Sequence, residues 1–250
     1  MIDLESLWIG PSPDAAPTLV FLHEGLGSAS AWRDFPRRLV ERTGCGALVY
    51  SRRGYGSSPP AELPRPIEYM HEEAAVLDDV LRHHRIREAI LFGHSDGASI
   101  ALIYAGRTRS GPLKALILEA PHVFAEPMGI ESIAAMKQAY ETTDLRERLA
   151  RHHRDVENAF RGWNDVWLDP RFREWNIEEF LGAITVPVLL IQGTDDEYGT
   201  WKQIEAIERQ VHSPVEILRV PRAGHAPHRD QPGLVLERMS AFIQATRLRS

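Results

Sequence analysis

Ala89-Ile90-Leu91-Phe92-Gly93-His94-Ser95-Asp96-Gly97-Ala98-Ser99-Ile100-Ala101-Leu102 is the stretch on which the reading of this chain turns. An apolar run of strand length enters Gly93-His94-Ser95-Asp96-Gly97, and a run rich in small residues, suited to a closely packed helix, leaves it. The central five residues match the G-x-S-x-G nucleophile elbow. Such a turn holds its serine in strained backbone geometry with the hydroxyl above the sheet edge, and it needs glycine where a side chain would strike neighbouring elements. Ser95 is therefore the first candidate catalytic residue, because the flanking strand and helix separate this match from a chance occurrence of the five letters.

Further runs of the same apolar kind lie at 18–22, 47–50, 115–118, 188–191 and 215–218, with a weaker one inside 4–9. Near-continuous apolarity marks strands covered on both faces. Between them, helices are predicted at 31–42, 67–84, 96–107 and 200–210, with a closing helix at 232–246. In the second of these Met70, Ala74, Leu77, Leu81 and His84 recur at three- and four-residue steps, one core-facing stripe. The alternation predicts an α/β fold with a mostly parallel central sheet flanked by helices. It stops between 121 and 185, where helices without strands are expected from about residue 130 to about 181. The organisation read from this is a core of 1–120 and 186–250 with 121–185 as an inserted helical cap. Phe160, Trp163, Trp167, Phe172 and Trp175 concentrate in the insertion. Most of them are expected to build its own small core, while Trp163 and Trp167 are candidates to contact substrate.

The 250 residues carry a formal net charge of −6, which disfavours a nucleic-acid partner, since such binding depends on Lys and Arg neutralising phosphates. No apolar stretch is long enough to span a membrane, and Met1-Ile2-Asp3-Leu4-Glu5-Ser6 lacks the basic and apolar regions of a secretory leader, so a cytoplasmic protein is expected. Cys45 is the single cysteine; it reads as a partly buried structural thiol. His152-His153 with Asp155, and His225 with His228, have spacings a metal could use. Histidines clustered in a charged helix are more often solvent-facing, and no metal or other cofactor is expected.

A serine hydroxyl is a poor nucleophile at neutral pH; it needs a base, and the base needs an acid that fixes its tautomer. Two later loops can supply them. The run at 188–191 ends in Gln192-Gly193-Thr194-Asp195-Asp196-Glu197, and the last apolar run is followed by Val220-Pro221-Arg222-Ala223-Gly224-His225-Ala226-Pro227-His228. The residues alone leave Asp195 or Asp196, and His225 or His228, as the partners.

The order serine, acid, histidine, each placed after a strand, resembles the α/β-hydrolase superfamily over nearly the whole chain. Gly193-Thr194-Asp195-Asp196 is similar to that superfamily's G-x-x-D acid loop and Gly224-His225 to its G-H loop, so the resemblance selects Asp196 and His225. Arg53-Gly54-Tyr55-Gly56-Ser57-Ser58 resembles its R-G-x-G-x-S turn. His23-Glu24-Gly25-Leu26-Gly27-Ser28 resembles its H-G-x-G loop, which implies an oxyanion hole built from the backbone N–H groups of Leu26 and Asp96. Glu24 departs from the pattern, since a carboxylate facing a developing oxyanion opposes catalysis. Either Gly25-Leu26-Gly27 alone makes the turn, or Glu24 pairs away from the site with an arginine such as Arg52 or Arg53; the Arg52-Arg53 pair makes the second the working expectation.

The resemblance implies a cofactor-free serine hydrolase acting on an ester or related acyl compound. Carbon–carbon bond hydrolysis or acyl transfer on the same triad are the alternatives, followed by a ligand-binding protein without turnover. Serine in the elbow, where dehalogenases and epoxide hydrolases carry aspartate, argues against those two chemistries. His122, just beyond a strand end, is a further candidate for contact with a small, apolar or aromatic substrate. The oligomeric state is not legible.

Overall fold

The computed structural model describes residues 3–108 and 110–248. Met1 and Ile2, at the head of the stretch read above for a leader, lie outside these, as do Arg109, Arg249 and Ser250. Seven strands form one sheet: β1 (Ser6–Ile9), β2 (Thr18–Leu22), β3 (Gly46–Tyr50), β4 (Ala89–His94), β5 (Leu113–Glu119), β6 (Val188–Gly193) and β7 (Val215–Val220). Their order is β1-β3-β2-β4-β5-β6-β7, parallel throughout except for β1, which runs antiparallel to β3. The weak apolar run near the N-terminus thus becomes a short edge strand.

Because side chains alternate along a strand, the apolar runs feed two cores at once. Val20, Leu22, Leu48, Leu91, Leu116, Leu118 and Leu190 point to one side, where α2 (Tyr69–His83), α3 (Asp96–Arg107) and α7 (Lys202–Gln210) pack. Leu19, Phe21, Val49, Ile90, Phe92, Ile117 and Leu189 point to the other, against α1 (Phe35–Thr43) and the last helix, α9 (Pro232–Arg247). Cys45 is fully buried in the second core, so burial pushes its thiol pKa up.

The predicted first helix begins later than its pattern suggested. Residues Ala29–Trp32 form a 3-10 turn, and Arg33 takes a left-handed backbone conformation at φ 54° that no α-helix tolerates. Helix α1 then starts with Pro36 in its first turn, where a missing N–H costs nothing, and ends at Gly44 in the left-handed conformation. The α2 stripe is buried at Met70, Ala74, Leu77 and Leu81, while His84 lies past the helix end and is half-buried, its ring stacked at 6.4 Å on Trp8.

Between β5 and β6 the described residues form helices and irregular chain, with one isolated bridge, Phe124–Asn176. Helices α4 (Pro127–Thr142), α5 (Leu145–Ala150) and α6 (Val156–Trp167) lead into two 3-10 segments, Pro170–Glu174 and Glu178–Ala183. The Asp155 carboxylate caps α6 by accepting from the Asn158 N–H at 3.0 Å. The second 3-10 segment lies directly on α3, where a Cβ at Gly106 would come within 2.5 Å of the Phe180 backbone. The short helix α8 (Pro227–Asp230) precedes α9.

Strand order decides where a site can form. From β2 the chain moves outward to β3 on one side, and β4 opens the other side. The connections leave in opposite directions there, opening a crevice beyond the C-terminal ends of β2 and β4. Loop 23–27 and Ser95 both emerge into it.

Candidate active site

Ser95 follows the last residue of β4 and precedes the first of α3, at φ 54° and ψ −117°. A non-glycine residue there is strained and persists only where the surroundings over-determine it. The surroundings are two glycines: a Cβ at Gly93 would lie 2.4 Å from the Gly97 carbonyl oxygen, and one at Gly97 would lie 2.0 Å from the Leu22 carbonyl oxygen. The second approach presses the first turn of α3 against the end of β2, which brings Asp96 beside loop 23–27.

Asp196 lies beyond the end of β6 and His225 beyond the end of β7. The His225 Nδ1 lies 2.8 Å from Asp196 Oδ1. That carboxylate also accepts from the N–H groups of Tyr198 and Gly199, at 2.9 and 3.3 Å, and from Gln192 Nε2 at 2.8 Å. Burial alone would raise the Asp196 pKa; His225 and the Tyr198 N–H reverse this and hold it below the usual carboxylate range. Burial works against protonation of His225, but Asp196, Glu197 and Glu24 overcome it and lift the imidazole above its ordinary 6.5. With Nδ1 engaged, Nε2 is the nitrogen available to a serine. Asp195 is exposed, its carboxylate bonded to Thr194.

Ser95 and His225 line one cavity of about 460 Å³. No hydrogen bond joins the Ser95 hydroxyl to the ring among the described residues. Leu26, Ile133, Met136, Leu149, Trp163 and Trp167 give the cavity an apolar wall, and His122 joins it beside His225, ring centroids 5.6 Å apart. Burial, then the neighbouring His225, pushes the His122 pKa down to about 4, so it stays neutral. Phe160, Phe172 and Trp175 are buried in the segment between β5 and β6, Phe172 stacked on Trp175 at 5.2 Å.

The Leu26 N–H has no partner among the described residues, and the peptide that follows it, Leu26–Gly27, is held through the Leu26 carbonyl. Gly56 N–H donates to His153 Nδ1 at 3.0 Å, which leaves Nε2–H to donate to the Leu26 carbonyl at 3.0 Å. His153 is thus buried rather than solvent-facing. Histidine repetition in a charged segment carried no sign of this, because its partners are 97 and 127 residues away.

The expected pairing of Glu24 with Arg52 or Arg53 is overturned. Arg229 takes that role at 3.0 Å, with His94 Nδ1 at 3.7 Å, and these partners hold the Glu24 carboxyl well below its usual range despite its burial. Arg52 is fully buried and is drawn instead to Asp96 at 3.8 Å and to the carbonyls of His23 and Glu24, while Arg53 is exposed. Glu24→Ala is expected to lower stability by about 1 kcal/mol, the modest size set by the half-exposed arginine. Thermal denaturation beside the parent chain measures it.

Two more residues, His94 and Glu119, were missed in the sequence, and the candidate His228 takes a different role. His94 Nε2 donates to the His225 carbonyl at 2.7 Å. Glu119 accepts from the His228 N–H at 3.1 Å and faces its Nδ1 at 2.5 Å, so His228 is a buried fastening of the loop that carries His225. Donor atoms of His94, Glu119 and His228 lie within 4.8 Å of one another, the one group among the described residues that could hold a metal; two of them already bind each other. No helix of the described chain is long and apolar enough to cross a membrane.

The sequence profile of the Alpha/beta hydrolase family matches residues 19–238. The chain is similar to the sn-1-specific diacylglycerol lipase ABHD11 of Danio rerio, 23% identical over 260 residues, spanning 92% of this chain and 79% of that protein. Its fold is similar to that of VinJ, with a TM-score of 0.75 at 21% identity over 97% of this chain and 96% of that one. It is likewise similar to an esterase from Exiguobacterium antarcticum, with a TM-score of 0.74 at 18% identity over 96% and 95%.

Proposed function

The chain belongs to the alpha/beta hydrolase family, and from that premise we propose that it is a serine hydrolase cleaving an ester or related acyl compound of a small, apolar or aromatic kind. The observation that carries this reading is the 2.8 Å Asp196–His225 contact, set in the wall of the same cavity as a serine at φ 54°. Ser95 attacks the carbonyl while His225 Nε2 takes its proton; the imidazolium, held by Asp196, returns that proton to the leaving group. The N–H groups of Leu26 and Asp96 receive the oxyanion. Water then repeats the sequence on the acyl-enzyme. Residues 121–185 act as a cap whose apolar wall, Trp163 and Trp167 included, accepts the acyl or alcohol part, with His122 at its inner edge.

A serine-directed phosphonate tests the reading. The expected result is a mass adduct on Ser95 and hydrolysis of esters in a graded acyl series. Labelling without ester turnover assigns the triad to acyl transfer or carbon–carbon cleavage, and neither labelling nor turnover assigns the cavity to ligand binding alone.

The raised imidazole sets the direction of the pH response. Catalysis needs neutral His225, so kcat/KM should fall on acidification with a midpoint above the ordinary 6.5. Glu197→Gln removes a charge that favours the imidazolium and should move that limb to lower pH. A profile flat from about pH 5 to about pH 8 would contradict the assignment of His225 as base.

A further inference from the structure

The residue after the nucleophile is an aspartate whose side chain points into the protein, although the proposed chemistry uses only its backbone. Asp96 is fully buried. Its Oδ2 accepts from the Tyr69 hydroxyl at 2.5 Å and lies 3.8 Å from Arg52 Nη2; its Oδ1 has no partner among the described residues. A tyrosine hydroxyl has one proton to give, and here it goes to Asp96. The same oxygen accepts from Trp167 Nε1–H at 3.0 Å. Trp167 stands in the cavity wall with its ring 5.4 Å from that of His122. On the other side Arg52 donates to the carbonyls of His23 and Glu24, the residues that lead into Leu26.

These bonds form one line from the insertion to the elbow: indole to hydroxyl, hydroxyl to carboxylate, and carboxylate beside a guanidinium that grips the opposite loop. Tyr69 is the first residue of α2, which Arg65 helps to hold by lying over the tyrosine ring at 5.5 Å. Resting on the serine-hydrolase reading above, we propose that Tyr69 is a positioning residue that couples the cap, through Trp167, to the oxyanion-binding N–H of Asp96. A substrate seated against Trp167 then holds the peptide at Asp96 in the orientation the tetrahedral intermediate needs. The coupling acts on the intermediate rather than on the bound ester, because the N–H of Asp96 is called on fully only when the carbonyl oxygen becomes an anion.

Tyr69→Phe removes the one shared oxygen and keeps the ring. The expected result is a kcat reduced about ten- to a hundredfold with KM changed less than about threefold, as for a small displacement of an aligned group. Affinity for the trifluoromethyl ketone analogue of the best ester, which forms a tetrahedral adduct on serine, should fall in parallel, while affinity for the carboxylic acid product should not. End-point titration with the phosphonate sets rates per folded site, so partial unfolding is not counted as slow chemistry. Asp96→Asn, which removes the charge and keeps an acceptor, should also lower kcat with little change in KM, and it serves if the phenylalanine variant does not fold. Undiminished kcat per titrated site in a folded variant, or equal losses for ketone and product acid, overturns the coupling. Ser95→Ala separates the two claims. If it still turns over, the serine mechanism falls; if it is inert while Tyr69→Phe runs at full rate, only the coupling falls.

Discussion

Ser95→Ala is expected to reduce hydrolysis of the best ester by about four to six orders of magnitude, with folding retained. The size follows from the absence of another route in the cavity. With the hydroxyl gone, the proposed base His225 and the proposed oxyanion donors at Leu26 and Asp96 would still polarise a carbonyl and activate water, and such remnants retain about 10³–10⁴ over the uncatalysed reaction. The expected stability change is small, because Ser95 is already 7% exposed and its hydroxyl makes no hydrogen bond among the described residues. Losing a β-oxygen also leaves the unusual backbone conformation in place. Steady-state kinetics with phosphonate labelling as a parallel readout checks this: loss of both with an unchanged melting temperature is the expected pattern. Loss of less than about tenfold would place the nucleophile elsewhere.

Gly97→Ala should be severely damaging, because a Cβ there makes the shortest contact with backbone of any glycine. The added carbon would lie 2.0 Å from the Leu22 carbonyl oxygen and 2.9 Å from that of His23. Both obstacles are backbone, Leu22 being held within the sheet between β3 and β4, so no rotamer change relieves the contact. Either α3 lifts from β2 or the strand end moves, and both movements separate Ser95 from loop 23–27. A cost of about 3–5 kcal/mol is expected, a large part of the ~5–15 kcal/mol available to a whole domain. Activity should fall with it. Gly233→Ala is the matched control, since a Cβ there meets nothing within 4 Å in the first turn of α9. It should raise stability by about 0.5–1 kcal/mol, because alanine loses less backbone entropy than glycine in a helix. Melting curves of the two variants should therefore move in opposite directions. A Gly97→Ala chain as stable as its parent would refute the close approach of elbow and β2.

The elbow was legible in the sequence because its causes are local. Gly93, Ser95 and Gly97 sit within five residues of one another, and the strand before them and helix after them are written in adjacent residues. The sheet was legible for the same reason: a strand buried on both faces is apolar over most of its length, and the runs at β2 to β6 are. The first helix was misread where a single residue, Arg33, adopts a conformation that periodicity does not encode. The choice of Asp196 over Asp195 rested on resemblance alone, whereas in the structure the Asp196 carboxylate lies against His225 and the Asp195 carboxylate against Thr194.

By itself, then, the chain's order of residues determined an α/β sheet with a strained serine at a strand end and two loops able to supply a carboxylate and an imidazole. Only the tertiary structure decided that His228 is clamped by Glu119, that Glu24 pairs with Arg229, that His153 holds the Leu26 carbonyl and that Asp96 reaches Trp167 through Tyr69. The physical reason is the separation of the partners. Periodicity and turn chemistry act over a few residues, whereas these pairs lie 27 to 205 residues apart and meet because strand order folds their loops onto one edge of the sheet.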